Sequence, residues 1–172
     1  MKKKTVWGTL LLVAYLLIVI WIILLKFSVS FDDLAALNDG HLRNINLIPF
    51  GDSVVINGKL DLKEIIYNAV IFIPFGGLLG IAGKNISLWG KVRLIILFSL
   101  SLEICQYIFD LGTSDITDLI TNVFGGLLGL LIYALLKKLF SEEKLDKFLL
   151  SAGTLLFMLA TGFVLFLIFF NR

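Results

Sequence analysis

Apolar positions in this chain come in long runs, without the alternation of a half-buried strand or the one-sided spacing of a soluble helix. Residues 6–25 carry no charge, and twenty residues at about 1.5 Å each match a hydrocarbon core of about 30 Å. Four later stretches repeat the pattern. Together they predict helices over about 6–26, 64–83, 91–109, 116–137 and 148–170. The second is interrupted by Asn68 and by Pro74, which should kink it, and the third carries Glu103 and Gln106. The expected fold is all-α: a polytopic membrane helical bundle of five transmembrane helices forming a single membrane domain over residues 1–172. Lys2, Lys3 and Lys4 precede the first run, as they would in a signal peptide. That run exceeds the roughly 7–15 apolar residues of a cleaved signal and no Ala-x-Ala follows, so the segment reads as an anchor that stays.

Composition supports this class. The chain is 59% hydrophobic with a mean hydropathy of +0.99, outside the usage of soluble domains. A net charge of +2 is too small to suggest a nucleic-acid partner; its distribution is more telling. With the N-terminus inside, cytoplasmic segments hold Lys2, Lys3, Lys4, Lys84, Lys91, Arg93, Lys137, Lys138, Lys144 and Lys147, against Lys26, Arg43, Lys59, Lys63 and Arg172 outside. Ten against five favours N-inside, C-outside by the positive-inside rule. The single cysteine, Cys105, rules out an internal disulfide or a Cys-based zinc site, and the single histidine, His41, reads as a loop residue.

This orientation gathers the polar residues at the outer end. Glu64 and Asn68 begin the second helix there, Glu103, Gln106 and Asp110 end the third at i, i+3 and i+7, and Asp115, Asp118 and Asn122 begin the fourth with the same spacing. The inner half reads as Gly, Leu, Ile, Val and Phe. Ionisable groups in a span usually have a function or a partner. Helix capping accounts for some of them: Asp61 with Glu64 fits a capping box, and Asp115 fits an N-cap. Asn122 lies too deep to cap. Glu103 has no cation in its own span, and Arg43, from the external loop 27–63, is its candidate partner. That loop contains Leu47-Ile48-Pro49-Phe50, too apolar for water, and is expected to refold onto the outer helix ends, delivering Arg43 and Asn46 to the carboxylates. Gly76, Gly80, Gly125 and Gly129 read as small faces that bring the second and fourth helices together. Both helices fit Asp-x-x-acid-x-x-x-Asn followed by Gly-Gly-Leu-Leu-Gly, with unequal spacers, as an imperfect duplicated hairpin would.

Four ordered motifs then carry a resemblance: Arg43-x-x-Asn46-Leu47-Ile48-Pro49-Phe50; Asn68 followed by Phe72-Ile73-Pro74-Phe75-Gly76; Glu103-x-x-Gln106; and Asp115-x-x-Asp118-x-x-x-Asn122-x-x-Gly125. The chain resembles the VanZ family over a core of about 43–138, with an extra C-terminal helix at 148–170. Many members have an arginine shortly before the paired aspartates; here Gly112-Thr113-Ser114 stands in that place, so no role of that arginine transfers. The resemblance implies a multi-pass protein of the bacterial plasma membrane. It also implies a link to resistance against teicoplanin and related lipoglycopeptide antibiotics, without a settled reaction.

Two mechanisms fit the residues. In one, the outer cluster binds a lipid-linked cell-wall precursor or the amphiphilic drug, with Arg43, Asn46, Asn68, Gln106 and Asn122 as ligand contacts among membrane lipids. In the other, Glu103, Asp115 and Asp118 are catalytic, as acid and base or holding a divalent cation against a lipid phosphate. No motif asks for another cofactor, and no Ser-His pairing or base near Cys105 supports nucleophilic catalysis. A small ion conduit does not fit so apolar an inner half.

Overall fold

Two helices meet here backbone to backbone because glycine removes the side chains between them. In the computed structural model, which describes residues 2–25, 45–50, 55–56, 59–60, 62–111 and 114–170, a Cβ built on Gly125 would stand 2.0 Å from the Ala69 carbonyl oxygen. One on Gly129 would stand 2.0 Å from that of Ile73, and one on Gly76 2.0 Å from that of Gly126. The predicted glycine faces therefore do close the second helix on the fourth. Without a hydrophobic drive between helices in lipid, such close packing and weak Cα–H contacts to carbonyls hold the pair.

The helices in chain order are α1 (Lys2–Leu25), α2 (Lys63–Ala82), α3 (Leu88–Phe109), α4 (Ile116–Leu139) and α5 (Glu142–Phe170). All five are long and apolar enough to cross a membrane. The chain is a multi-pass membrane protein with an all-α bundle. Around the central α2–α4 pair, α1 packs on α2, α3 on α4, and α5 on α1 and α4. Val19, Leu24, Phe72, Phe75, Ile95 and Leu102 are buried in the main core. There Phe72, Phe75 and Phe98 stack with ring centroids 5.3–5.9 Å apart, contacts worth about 0.5–1.5 kcal/mol each beyond their area. Helix α2 continues through Pro74, and the Tyr15 hydroxyl of α1 donates to the Ile71 carbonyl at 2.6 Å.

Several boundaries differ from the sequence reading. Helix α3 starts at Leu88 rather than 91, because the Ser87 hydroxyl caps it by accepting from the Gly90 N–H at 3.1 Å. Helix α5 starts at Glu142 rather than 148, with the Ser141 carbonyl accepting from the Lys144 and Leu145 amides. Glu142 and Glu143 in its first turn suit the positive end of the helix dipole. At α2, Leu62 occupies the N-cap without a side-chain cap bond, and Asp61, on which the capping-box reading rests, lies outside the described residues.

The described parts of the external loop form short extended pairs. Strand β1 (Ile45–Asn46) pairs in parallel with β4 (Ser114–Asp115), while β2 (Val55–Ile56) and β3 (Lys59–Leu60) form an antiparallel pair. The β1–β4 pairing ties the loop to the turn between α3 and α4, as the expected refolding requires.

Candidate functional site

On α3, Ser99, Glu103, Gln106 and Asp110 follow at i, i+4, i+7 and i+11, one face of the helix. The first three are buried. Glu103 is only 4% exposed, and its Oε2 accepts the backbone N–H of Asp115 at 2.9 Å. The Ser114 side chain lies beside this carboxylate. The partner that the sequence could not supply from α3 is thus the β4 backbone, held in place by its pairing with β1. Asp110 ends the helix in a left-handed conformation at φ 54°, its N–H returning to the Gln106 carbonyl.

Asp115 is the N-cap of α4, as its spacing predicted, and it also carries the loop. Its Oδ1 accepts from the Thr117 N–H at 2.7 Å and its Oδ2 from Asn46 Nδ2 at 3.1 Å. Asn46 Oδ1 accepts in turn from the Ile48 N–H at 3.0 Å. The Phe50 N–H donates to Thr117 Oγ1 at 2.9 Å, with Phe50 itself left-handed at φ 61°. These bonds fold the turn inward at its polar atoms and leave Leu47, Ile48 and Phe50 exposed on its apolar side. Side chains of that kind at the outer helix ends belong in the membrane interface rather than in water.

Asp118, in the first turn of α4, faces the Asn68 side chain of α2 and lies within repulsive range of Glu64, Asp115 and Glu103. One turn deeper, Asn122 is 1% exposed. Asn46, Asn68, Glu103, Gln106, Asp115, Asp118 and Asn122 therefore all lie on the elements that meet at the outer end. Arg43 and His41 lie outside the described residues.

Five buried oxygens here have no hydrogen-bond partner among the described residues: Ser99 Oγ, Glu103 Oε1, Gln106 Oε1, Asp110 Oδ1 and Asn122 Oδ1. Buried polar groups are ordinarily satisfied, so five in one region of one bundle exceed what folding requires. Apart from the serine hydroxyl they are all acceptors. Among the described residues, no three His, Cys, Asp or Glu side chains come together as a metal site.

The sequence reading passed over two sets of residues. Ser99, Thr117 and Thr121 are buried polar groups of α3 and α4, inconspicuous because hydroxyls in apolar runs read as packing. The inner end is also more polar than expected. Asp146, 1% exposed, bonds Lys84 and accepts from the Tyr133 hydroxyl at 2.7 Å, while Glu142 pairs with Lys84 at 2.6 Å and Lys137 at 2.8 Å.

The double role of Asp115 has a measurable consequence. Asp115→Ala removes a cap worth about 0.5–2 kcal/mol and the anchor of Asn46, so thermal unfolding in detergent should shift clearly downward. Asp115→Asn keeps an oxygen for the cap and should shift it less. Equal shifts would assign the effect to the charge rather than to the cap.

The VanZ/LLP1 family model matches residues 12–137, from within α1 to near the end of α4. The chain is 40% identical over 149 residues to Protein VanZ of Enterococcus faecium, an alignment covering 87% of each protein. No solved structure matches it.

Proposed function

The chain belongs to the VanZ family, and on that premise we propose that it lowers susceptibility to lipoglycopeptide antibiotics at the bacterial plasma membrane. Its outer polar site engages a lipid-linked cell-wall precursor or the amphiphilic drug itself. The observation that carries this reading is the set of five buried, unpartnered oxygens on α3 and α4 at the outer end. A ligand rich in N–H and O–H donors satisfies them, and both candidate ligands carry such groups on an amphiphilic frame that reaches membrane depth.

Two features favour binding over catalysis. Both oxygens of Asp115 are engaged, one by the cap and one by Asn46, so this carboxylate is committed to holding the fold. Glu103 likewise spends one oxygen on the Asp115 backbone and keeps only Oε1 for a ligand. General acid–base work needs carboxylate oxygens free to reach a substrate atom, and three of the four oxygens of Asp115 and Glu103 are already engaged.

Glu103→Gln and Asp118→Asn, each close in shape to the native residue, should abolish protection against teicoplanin in a susceptible host while membrane levels stay unchanged. Native protection in both variants would remove the site from the mechanism. Mass spectrometry of envelope lipids from cells with and without the protein separates the two chemistries: the binding reading expects identical lipids, and a covalently altered lipid would replace it with an enzyme.

A further inference from the structure

At the inner end of the bundle, α1 and α5 are separated by a groove that the outer polar site does not use. It encloses about 480 Å³ and is lined by Trp7 of α1 and by Lys147, Ser151, Thr154, Leu155 and Met158 of α5. Depth sorts these groups by polarity. Trp7 opens the span Val6–Leu24 and Lys147 lies early in the span Glu142–Gly162, so both stand near the head-group level of one membrane face, the cytoplasmic one in the orientation that the lysine and arginine distribution favours. Ser151 follows about 6 Å deeper and Met158 about 16 Å deeper, by helical rise. The Thr154 hydroxyl is turned onto its own helix, donating to the Leu150 carbonyl at 2.7 Å. The polar part of the groove is therefore its rim, and its depth is apolar.

The rotation of α5 that opens this groove is fixed by its neighbours. Asp146 is held inward by Lys84 and Tyr133, which turns position 147, about 100° further round the helix, outward. Beside the groove, a Cβ on Gly153 would meet Leu11 of α1 at 3.0 Å. The two helices touch there and part at the rim.

We propose that this groove holds an anionic phospholipid of the inner leaflet. Its phosphate lies against Lys147, its interfacial region passes between Trp7 and Ser151, and an acyl chain follows Leu155 and Met158. Three arguments select this occupant. The cytoplasmic leaflet carries negative charge, and basic pockets between transmembrane helices on that side suit anionic head groups. Tryptophan is the ring favoured at the head-group boundary. A second copy's helix laid over the groove would trap the exposed Lys147 against hydrocarbon, whereas a phosphate neutralises it. Trp7 and all the α5 residues lie outside the stretch 12–137 matched by the family, so the site is separate from the family core and from the outer cluster.

Native mass spectrometry of the full-length protein released from detergent, offered phosphatidylglycerol and phosphatidylcholine in equal amounts, tests this. Phosphatidylglycerol should be retained in preference. Lys147→Gln should weaken retention about fivefold, the effect expected of one lysine at the surface. Ser151→Trp, which fills the groove without changing charge, should also displace the lipid. Lys144→Gln, an equal charge change one turn earlier and off the groove, should leave retention unchanged. Equal retention of the two lipids, equal losses in Lys144→Gln and Lys147→Gln, or full retention in Ser151→Trp would each overturn the proposal. The charge-removing and space-filling variants act independently, so the proposal stays open to refutation if one of them fails to fold.

Discussion

Gly125→Val is expected to leave no stably folded protein in detergent or membrane. Its first added carbon would stand 2.0 Å from the Ala69 carbonyl oxygen and 2.8 Å from the carbonyl carbon. Both are backbone atoms of α2, which cannot turn aside as a side-chain tip can. Relief requires α2 and α4 to separate by more than an ångström along an interface in which Gly129 meets Ile73 and Gly76 meets Gly126 equally closely. Overpacking a well-filled interior by single methylenes already costs about 1–3 kcal/mol, and this change adds three carbons against a rigid wall. Folded proteins hold only about 5–15 kcal/mol in reserve. In lipid the lost contacts are the ones that hold the pair together. Gly77→Ala is the matched control, because a Cβ there meets nothing within 4 Å, and alanine raises helix propensity by up to about 1 kcal/mol. Size-exclusion profiles and melting curves should show Gly125→Val aggregated or absent and Gly77→Ala folded, with a melting temperature at or slightly above native. A native melting curve for Gly125→Val would mean that the helices are not this close.

The contrast between these two glycines marks how far sequence reasoning reaches. That the chain crosses the membrane five times, and that Gly125 and Gly129 lie on a packing face, follows from run lengths and spacing alone. So does the gathering of Glu103, Asp115 and Asp118 at one end, since the end of one span and the start of the next must meet on the same side. The apolar Leu47–Phe50 turn, together with Asn46, indicated a loop that folds back, and the Asn46–Asp115 bond carries that out. Less legible was anything that depends on how far each helix is rotated about its axis, or on backbone donors. Glu103 needed partners, and a side-chain reading offers only cations; one oxygen is taken by the Asp115 amide, placed by the β1–β4 pairing, while Arg43 lies outside the described residues. Asp146 was hidden for the related reason that Glu142 to Lys147 reads as a solvated linker. Only when the first turns of α5 become helix does one of its carboxylates swing inward beneath Tyr133.

That inward carboxylate carries the second large effect. Lys84→Met should destabilise the protein by about 3 kcal/mol, the lower part of the range for breaking a buried pair from one side, because Lys84 remains 32% exposed and part of its charge is solvated. The loss arises at Asp146, which at 1% exposure is left with the Tyr133 hydroxyl as its remaining side-chain partner. Asp146→Asn alone should cost less, since it retains an oxygen for Tyr133 and leaves Lys84 paired with Glu142. The double variant Lys84→Met, Asp146→Asn should then recover much of the Lys84→Met loss, since no unpaired charge remains buried. pH behaviour follows with a definite sign. Burial pulls the Lys84 ammonium down, but its hydrogen bonds to Asp146 and Glu142 outweigh this and hold it above the ordinary 10.5. A folded pKa raised above the unfolded one gives stability that is complete below the unfolded value and is lost as pH rises through the folded value. The gap between native and Lys84→Met proteins should therefore stay flat through neutral pH and close as Lys84 loses its proton in strong alkali. Melting curves of the four proteins over that range measure both effects. A double variant no better than Lys84→Met alone would place the loss in the packing of the lysine stem rather than in an uncompensated carboxylate.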